Sequence, residues 1–205
     1  MPVQQPKALA FLVQSVRGSR LLARFYDQGL YTDERSKKAF EERLHQMWRT
    51  AGSTDMASES AWTAGLDAGA FSAAGTALAL LGDNDVLVSG NQVVLYRPGV
   101  DVCFLLVTLA TENEVIFSQV LSCLTNALGA LVGELSEFNI LRNYEALLLV
   151  VDEVFDDSGA ILELDPVEVR ERIMPVLPRT LSVGDQSFSE ALHQAKATLT
   201  RTLLK

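Results

Sequence analysis

The chain is poor in the residues that carry chemistry. It has two histidines, His45 and His193, both in stretches of helical periodicity, and neither stands in a Ser-His-Asp order or at metal-ligand spacing. Solvated helix surface is the simpler reading of each. It has two cysteines, Cys103 and Cys123, both in apolar runs and without a C-x-x-C pair. They read as buried reduced thiols and fit a reducing cytosolic compartment. Basic charge is scarce: 17 Lys and Arg stand against 26 Asp and Glu, for a net charge of −9. That balance argues against a nucleic-acid partner, which needs a basic face to neutralise phosphates, and against holding an anionic membrane by charge alone. No run of about 18 apolar residues stands out, so no membrane-spanning helix is expected. The opening MPVQQPKALAFLVQSVRGSR lacks the small-residue cleavage site of a signal peptide. No glycine-rich phosphate loop is present.

What the chain does have is apolar mass. Hydrophobic residues make up 48% of 205 positions, enough for one compact domain with a real core. ALAFLVQSV (8–16) and LLARFYD (21–27) flank a turn containing Gly18 and predict a β-hairpin. Residues 33–48 change period: Phe40, Leu44, Met47 and Trp48 share one helical face, and Glu34 and Lys38 pair at i, i+4. Residues 50–84 are rich in Ala, Gly and Ser and predict a flexible insertion. DVLVS (85–89), QVVLYRP (92–98) and VCFLLVTLA (102–110) are three strands, the last apolar throughout and so central.

A long helix follows. Thr111 and Glu114 fit a capping box, and Phe117, Leu121, Leu124, Leu128, Leu131 and Leu135 form its stripe, widened by Ile116, Val120, Cys123 and Ala127. The spacing predicts a further helix over 143–157. Asp165, Pro166 and Glu168 start a short one, and Ser187 to Glu190 starts a last one with the stripe Phe188, Leu192, Ala195 and Leu199.

The densest polar feature is LLLVVDEVFDDSGAILELDPVEV (147–169), with seven carboxylates. Neither calcium-loop register that starts at Asp152 or Asp156 supplies the required oxygens and glycine. Asp152/Asp156 and Glu153/Asp157 are i, i+4 pairs, but nothing nearby supplies a nucleophile or an electrophilic stabiliser, so a carboxylate-dependent hydrolase is the weaker reading. Asp156 and Asp157 read as a polar helix end, where acidic groups oppose the helix dipole by roughly 0.3–1 kcal/mol each. A basic partner surface would offset that cost.

LLARFYD, KKAFEERL and TENEVIFSQVLSCLTNAL, in this order, resemble the small longin-fold chains of vesicle coats, the sigma subunits of clathrin adaptors and the zeta subunits of coatomer. Val115 stands where the family's helix start usually has Leu. AILELDPVEVRERI (160–173) and SFSEALHQAKATLTRTLLK (187–205) are more similar to the zeta branch; a sigma subunit is the alternative. The resemblance implies an α+β fold: a single longin-type (SNARE-like) domain over 1–205. A five-stranded antiparallel sheet is flanked by helices, the first on one face and the later ones on the other, with an insertion at 50–84 and appended helices over 165–205. It implies a non-enzymatic coat subunit with no cofactor, metal or catalytic residue. Such a subunit pairs one to one with the large gamma subunit, joins the other coatomer subunits, and meets an Arf-family GTPase indirectly and membranes only through the complex. Its place is cytoplasmic, peripheral on Golgi membranes and COPI-coated vesicles, serving Golgi-to-ER and intra-Golgi transport. The candidate partner interface is the strand end Arg24, Phe25, Tyr26 and Asp27 with the helix end Asp152, Glu153, Asp156 and Asp157.

Overall fold

The structure is a computed structural model and describes residues 5–53 and 84–177. Five strands form one sheet: β1 (Ala10–Ser15), β2 (Arg20–Phe25), β3 (Asp85–Ser89), β4 (Gln92–Pro98) and β5 (Val102–Leu109). Their order is β2-β1-β5-β4-β3, and every pairing is antiparallel. The continuously apolar strand is the central one, as its sequence requires: Val102 through Thr108 are all buried.

Because side chains alternate across a strand, the sheet has two apolar faces. Phe11, Val13, Val93, Leu95, Phe104 and Leu106 point to one, and Leu12, Val94, Cys103, Leu105 and Val107 to the other. The second face is covered by α1 (Glu34–Ser53) through buried Phe40, Leu44 and Trp48. The first is covered by α2 (Glu114–Val132), with α3 (Glu137–Arg142), α4 (Tyr144–Val154) and α5 (Pro166–Ile173) around it. The expected split of helices between the two faces is observed.

Several boundaries differ from expectation. α1 continues through Ser53, so the first residues assigned to the insertion are helical, with the Thr50 hydroxyl donating to the Gln46 carbonyl at 2.8 Å. Glu34 pairs with Lys37 at 2.8 Å rather than with Lys38, and Lys37 Nζ also lies 5.7 Å from the centre of the Phe25 ring. α2 starts later than the capping box predicts: Asn113 is its N-cap and accepts from the Val115 N–H at 3.0 Å, while Thr111 and Glu112 form the turn out of β5. Asn caps at least as well as Thr, so the choice falls to where β5 releases the chain. α2 ends at Val132 before Gly133 at φ 80°, so Leu135 is no longer helical. α3 is unforeseen and is capped by Ser136. α4 stops at Val154, three residues short of the prediction. α5 begins as its sequence dictates, with Asp165 accepting from the Val167 N–H at 2.8 Å and Pro166 at the first position. The rest of the predicted insertion, from 54 to 83, and the predicted helix from Ser187 lie outside the described residues.

One helix among the described residues, Glu114–Val132, is long and apolar enough to cross a membrane by length and composition alone, although Glu, Gln, Asn, Ser and Thr interrupt it. Nine of its residues are buried against the sheet and neighbouring helices, which accounts for its apolar character. The two thiols are buried and free as expected, in separate cores: Cys103 on the α1 side and Cys123 on the α2 side.

His45 is not solvated surface. Its ring packs edge-on to Trp48 at 5.4 Å and under Gly18 of the β1–β2 turn, and its buried Nδ1 has no hydrogen-bond partner among the described residues. Desolvation, with help from Arg49, holds its pKa below the ordinary 6.5. A lowered native pKa means the unfolded chain binds the proton more readily. Stability is therefore complete above pH 6.5 and declines as the pH falls from there towards the native pKa. The urea midpoint is expected to drop over this range in the native chain and to drop less in His45→Phe.

Candidate partner interface

The structure brings part of the predicted interface together. Arg24 lies on edge strand β2, and its Nη2 donates to Asp152 Oδ1 on α4 at 3.2 Å. Tyr26, just past β2, sets its ring at a tilt 5.3 Å from that of Phe155, the residue after α4. Burial raises the Tyr26 pKa; Arg24 acts in the opposite sense, and Asp152, Asp156 and Asp157 push further upward. Its buried hydroxyl has no partner among the described residues. Arg24, Tyr26, Asp152, Asp156 and Asp157 thus share one corner of the molecule.

The carboxylates there do different work from that expected. α4 ends at Val154, and Phe155 is extended (φ −126°, ψ 144°) and bridges to Ile161. Asp156 and Asp157 therefore lie outside the helix and do not oppose its dipole. Asp156 Oδ1 instead accepts from the Ala160 N–H, the Ser158 N–H and the Ser158 hydroxyl, each at 2.8 Å. These bonds, led by that from Ala160, hold its carboxyl below the usual range. The turn they stabilise presses Gly159 (φ 79°) against Ala8 and Tyr26, and the Gly159 carbonyl accepts from the Ala8 N–H at 2.8 Å. Asp157 is exposed.

Three predicted residues have other surroundings. Phe25 points to the opposite sheet face, 4.7 Å from the Tyr31 ring, where it lines a shallow cleft with Gln28, Tyr31, Thr32 and Lys37. Asp27 closes a turn by accepting from the Gly29 and Leu30 N–H groups. Glu153 accepts from Arg172 at 2.8 Å. Arg172 of α5 also reaches Glu163 at 3.0 Å and Glu168 at 3.9 Å, and Glu153 foremost raises its pKa. The hub was not foreseen; the only sequence signal is the pair Arg170 and Arg172 among acidic neighbours. Among the described residues no group of His, Cys, Asp and Glu is arranged to hold a metal ion.

Charge is divided along the chain. Residues 5–53 carry nine Lys and Arg against five Asp and Glu, a net +4, and residues 84–177 carry four against fifteen, a net −11. The later residues, which supply three strands as well as the helices α2 to α5, are therefore strongly acidic, and Leu162 and Leu164 are exposed among them.

The fold defines a small α+β chain with one five-stranded antiparallel sheet between two helical faces. Residues 8–177 match the clathrin adaptor complex small chain family, and the chain belongs to it. Within that family it is similar to coatomer subunit zeta-1 of Homo sapiens, at 29% identity over 96% of this chain and 92% of that one. It is also similar to coatomer subunit zeta of Saccharomyces cerevisiae, at 25% over 80% of this chain and 75% of the other. In fold it resembles a chain of a homology model of the full-length AP-3 complex, with TM-score 0.52 and 14% identity over 93% of this chain and 98% of that one. The chain is a small subunit of a vesicle coat.

Proposed function

We propose that the protein is the zeta-type small subunit of coatomer and pairs one to one with the large gamma subunit. The observation that carries this reading is the likeness to zeta chains over nearly the whole length. The role is structural and not enzymatic. The subunit supports the large chain within the adaptor-like core of the coat, in the cytoplasm and on Golgi membranes, for Golgi-to-ER and intra-Golgi traffic. It meets membrane and the Arf-family GTPase through the complex.

The corner formed by Arg24, Tyr26, Asp152, Asp156 and Asp157 is part of the contact in this reading. Its support is the exposed acidic pair Asp152 and Asp157 beside the buried Tyr26 hydroxyl, which has no partner among the described residues. Phe25, Asp27 and Glu153 already serve the chain's own contacts and belong at most to the rim. Co-expression with a coatomer gamma chain tests the pairing: a stable one-to-one complex is expected on gel filtration, and two separate peaks would reject it. The double charge reversal Asp152→Arg with Asp157→Arg is expected to weaken that complex roughly 10- to 100-fold, since like-charge contact across an interface costs up to several kcal/mol. The fold should be unchanged, because Asp157 makes no structural bond among the described residues and Asp152 only an exposed one of small worth. Unchanged affinity would move the contact elsewhere on the surface.

A further inference from the structure

The two edges of the sheet are finished differently. β2 is guarded. It carries exposed Arg20 and Arg24, and its pairing with β1 shifts register between Val13 and Gln14. The later helices also reach it: the Tyr144 hydroxyl donates to the Leu21 carbonyl at 3.2 Å, and Asp152 holds Arg24. Charge, irregularity and cover keep an edge from pairing with another chain. β3 has little of this. Its sequence DVLVS bears one charge, at Asp85, and no proline, and it pairs with β4 in unbroken register from Asp85 opposite Tyr96 to Ser89 opposite Gln92. The ladder fixes where its free backbone groups point. In β4 the Asn91 carbonyl accepts from Ala110 and the Gly99 N–H donates to Val102, so odd-numbered residues there bond to the β5 side and Gln92, Val94 and Tyr96 bond to β3. Their partners Ser89, Leu87 and Asp85 therefore face β4, and the N–H and C=O groups of Val86 and Val88 point outward. Neither residue has a further backbone partner among the described residues. On the α2 side of this edge Val88 is 45% exposed, beside half-buried Val86.

We propose that β3 pairs with β3 of a second copy of this chain, antiparallel across a two-fold axis at Leu87. Only this symmetric register overlaps the whole strand: Leu87 faces the partner's Leu87, Val86 the partner's Val88, and Asp85 the partner's Ser89. The outward N–H and C=O groups of Val86 and Val88 then satisfy one another, because these residues form the hydrogen-bonded pairs of the new ladder. Val88 settles beside the partner's Val86 and leaves water, and no charge meets its like. Each contact occurs twice, as a two-fold axis requires. Two five-stranded sheets become one continuous sheet with β2 at both outer ends. Arg24 and Asp152 thus stay open on each copy, and the pairing does not compete with a large subunit held at that corner.

The test is sedimentation equilibrium of the full-length chain. A contact this short is weak, with a dissociation constant on the order of 100 μM. The weight-average mass is therefore expected to rise with concentration from the 22.4 kDa of one chain towards twice that value. Val88→Pro removes an outward donor and no bond to β4, at the kind of edge position that accepts proline. It should stay monomeric with an unchanged far-ultraviolet spectrum. Two variants at Ser89 read the register itself. Ser89→Asp sets a carboxylate against the partner's Asp85 at both ends and should weaken the pairing. Ser89→Lys sets an ammonium there and should tighten it, each change amounting to roughly 2- to 30-fold because the charge pair occurs twice. A chain that stays monomeric at every concentration would overturn the proposal. So would a dimer that survives Val88→Pro, or Ser89→Asp and Ser89→Lys chains that pair equally well, since either result places the contact on another surface.

Discussion

Replacing Phe104 by alanine is expected to remove about 3–5 kcal/mol of stability, a large share of the 5–15 kcal/mol that holds a typical domain folded. Phe104 lies at the middle of β5, opposite Val13 of β1 and Arg97 of β4. It is 1% exposed and belongs to the core between the sheet and α2. Both neighbouring strands are anchored on β5, so the surroundings have little freedom to collapse into the space an alanine leaves. A cavity in such a site adds to the lost transfer free energy. Val88→Ala is the control, at a half-exposed position on edge strand β3. It is expected to cost under about 1 kcal/mol, as exposed positions do. Urea unfolding measures both, with the midpoint falling and the slope unchanged. Equal effects of the two substitutions would mean that β5 is not the centre of the core.

Gly159→Val is expected to cost about 3 kcal/mol or more and to loosen the candidate interface with it. Two causes act together. Gly159 has φ 79°, a left-handed conformation that a β-branched residue resists. A Cβ there would also meet the Ala8 carbonyl oxygen and lie 2.8 Å from Cβ and Cγ of Tyr26. Ala8 is fixed by its bond to the Gly159 carbonyl and Tyr26 by its bond to the Leu9 carbonyl, so neither side can give way. Gly90→Ala separates the causes. Gly90 has φ 63°, yet nothing lies within 4 Å of its Cβ position, so only the conformational cost of about 1–2 kcal/mol remains. In Gly159→Val the 156–160 turn should leave Tyr26, and binding of the large chain should fall even where the domain still folds. A variant as stable as the native chain and as good at binding would remove the turn from any part in the contact.

Most of the sheet was legible in the sequence, and the reason is physical. A central strand such as β5 must be apolar on both faces, and the hairpin of β1 and β2 is bounded by Gly18 at φ 87°. The stripe of Phe40, Leu44 and Trp48 is equally plain, because one wall of the core must repeat every turn. Helix ends were less legible. Thr111 and Asn113 are both good caps two residues apart, and only the exit path of β5 decides between them. At the other end of the helical layer, the apolar run through Phe155 continues the helical period, but Asp156 and Gly159 form a turn that pulls Phe155 into an extended bridge. Which candidate interface residues meet was legible only in part, for the same reason. Arg24 and Asp152 are 128 positions apart, and their meeting depends on α4 crossing the edge of β2. Phe25 lies apart from that corner because alternation along β2 sends it to the face opposite Arg24.

The central claim is that this chain is the zeta-type partner of a large coat subunit. The most direct measurement is to tag the protein in its own cells, purify it from cytosol at moderate salt, and identify stoichiometric partners by mass. The expected result is the seven-part coatomer, with the gamma chain at one to one. A four-chain clathrin adaptor would contradict the zeta reading in favour of sigma, and a monomer without stoichiometric partners would contradict a coat function altogether.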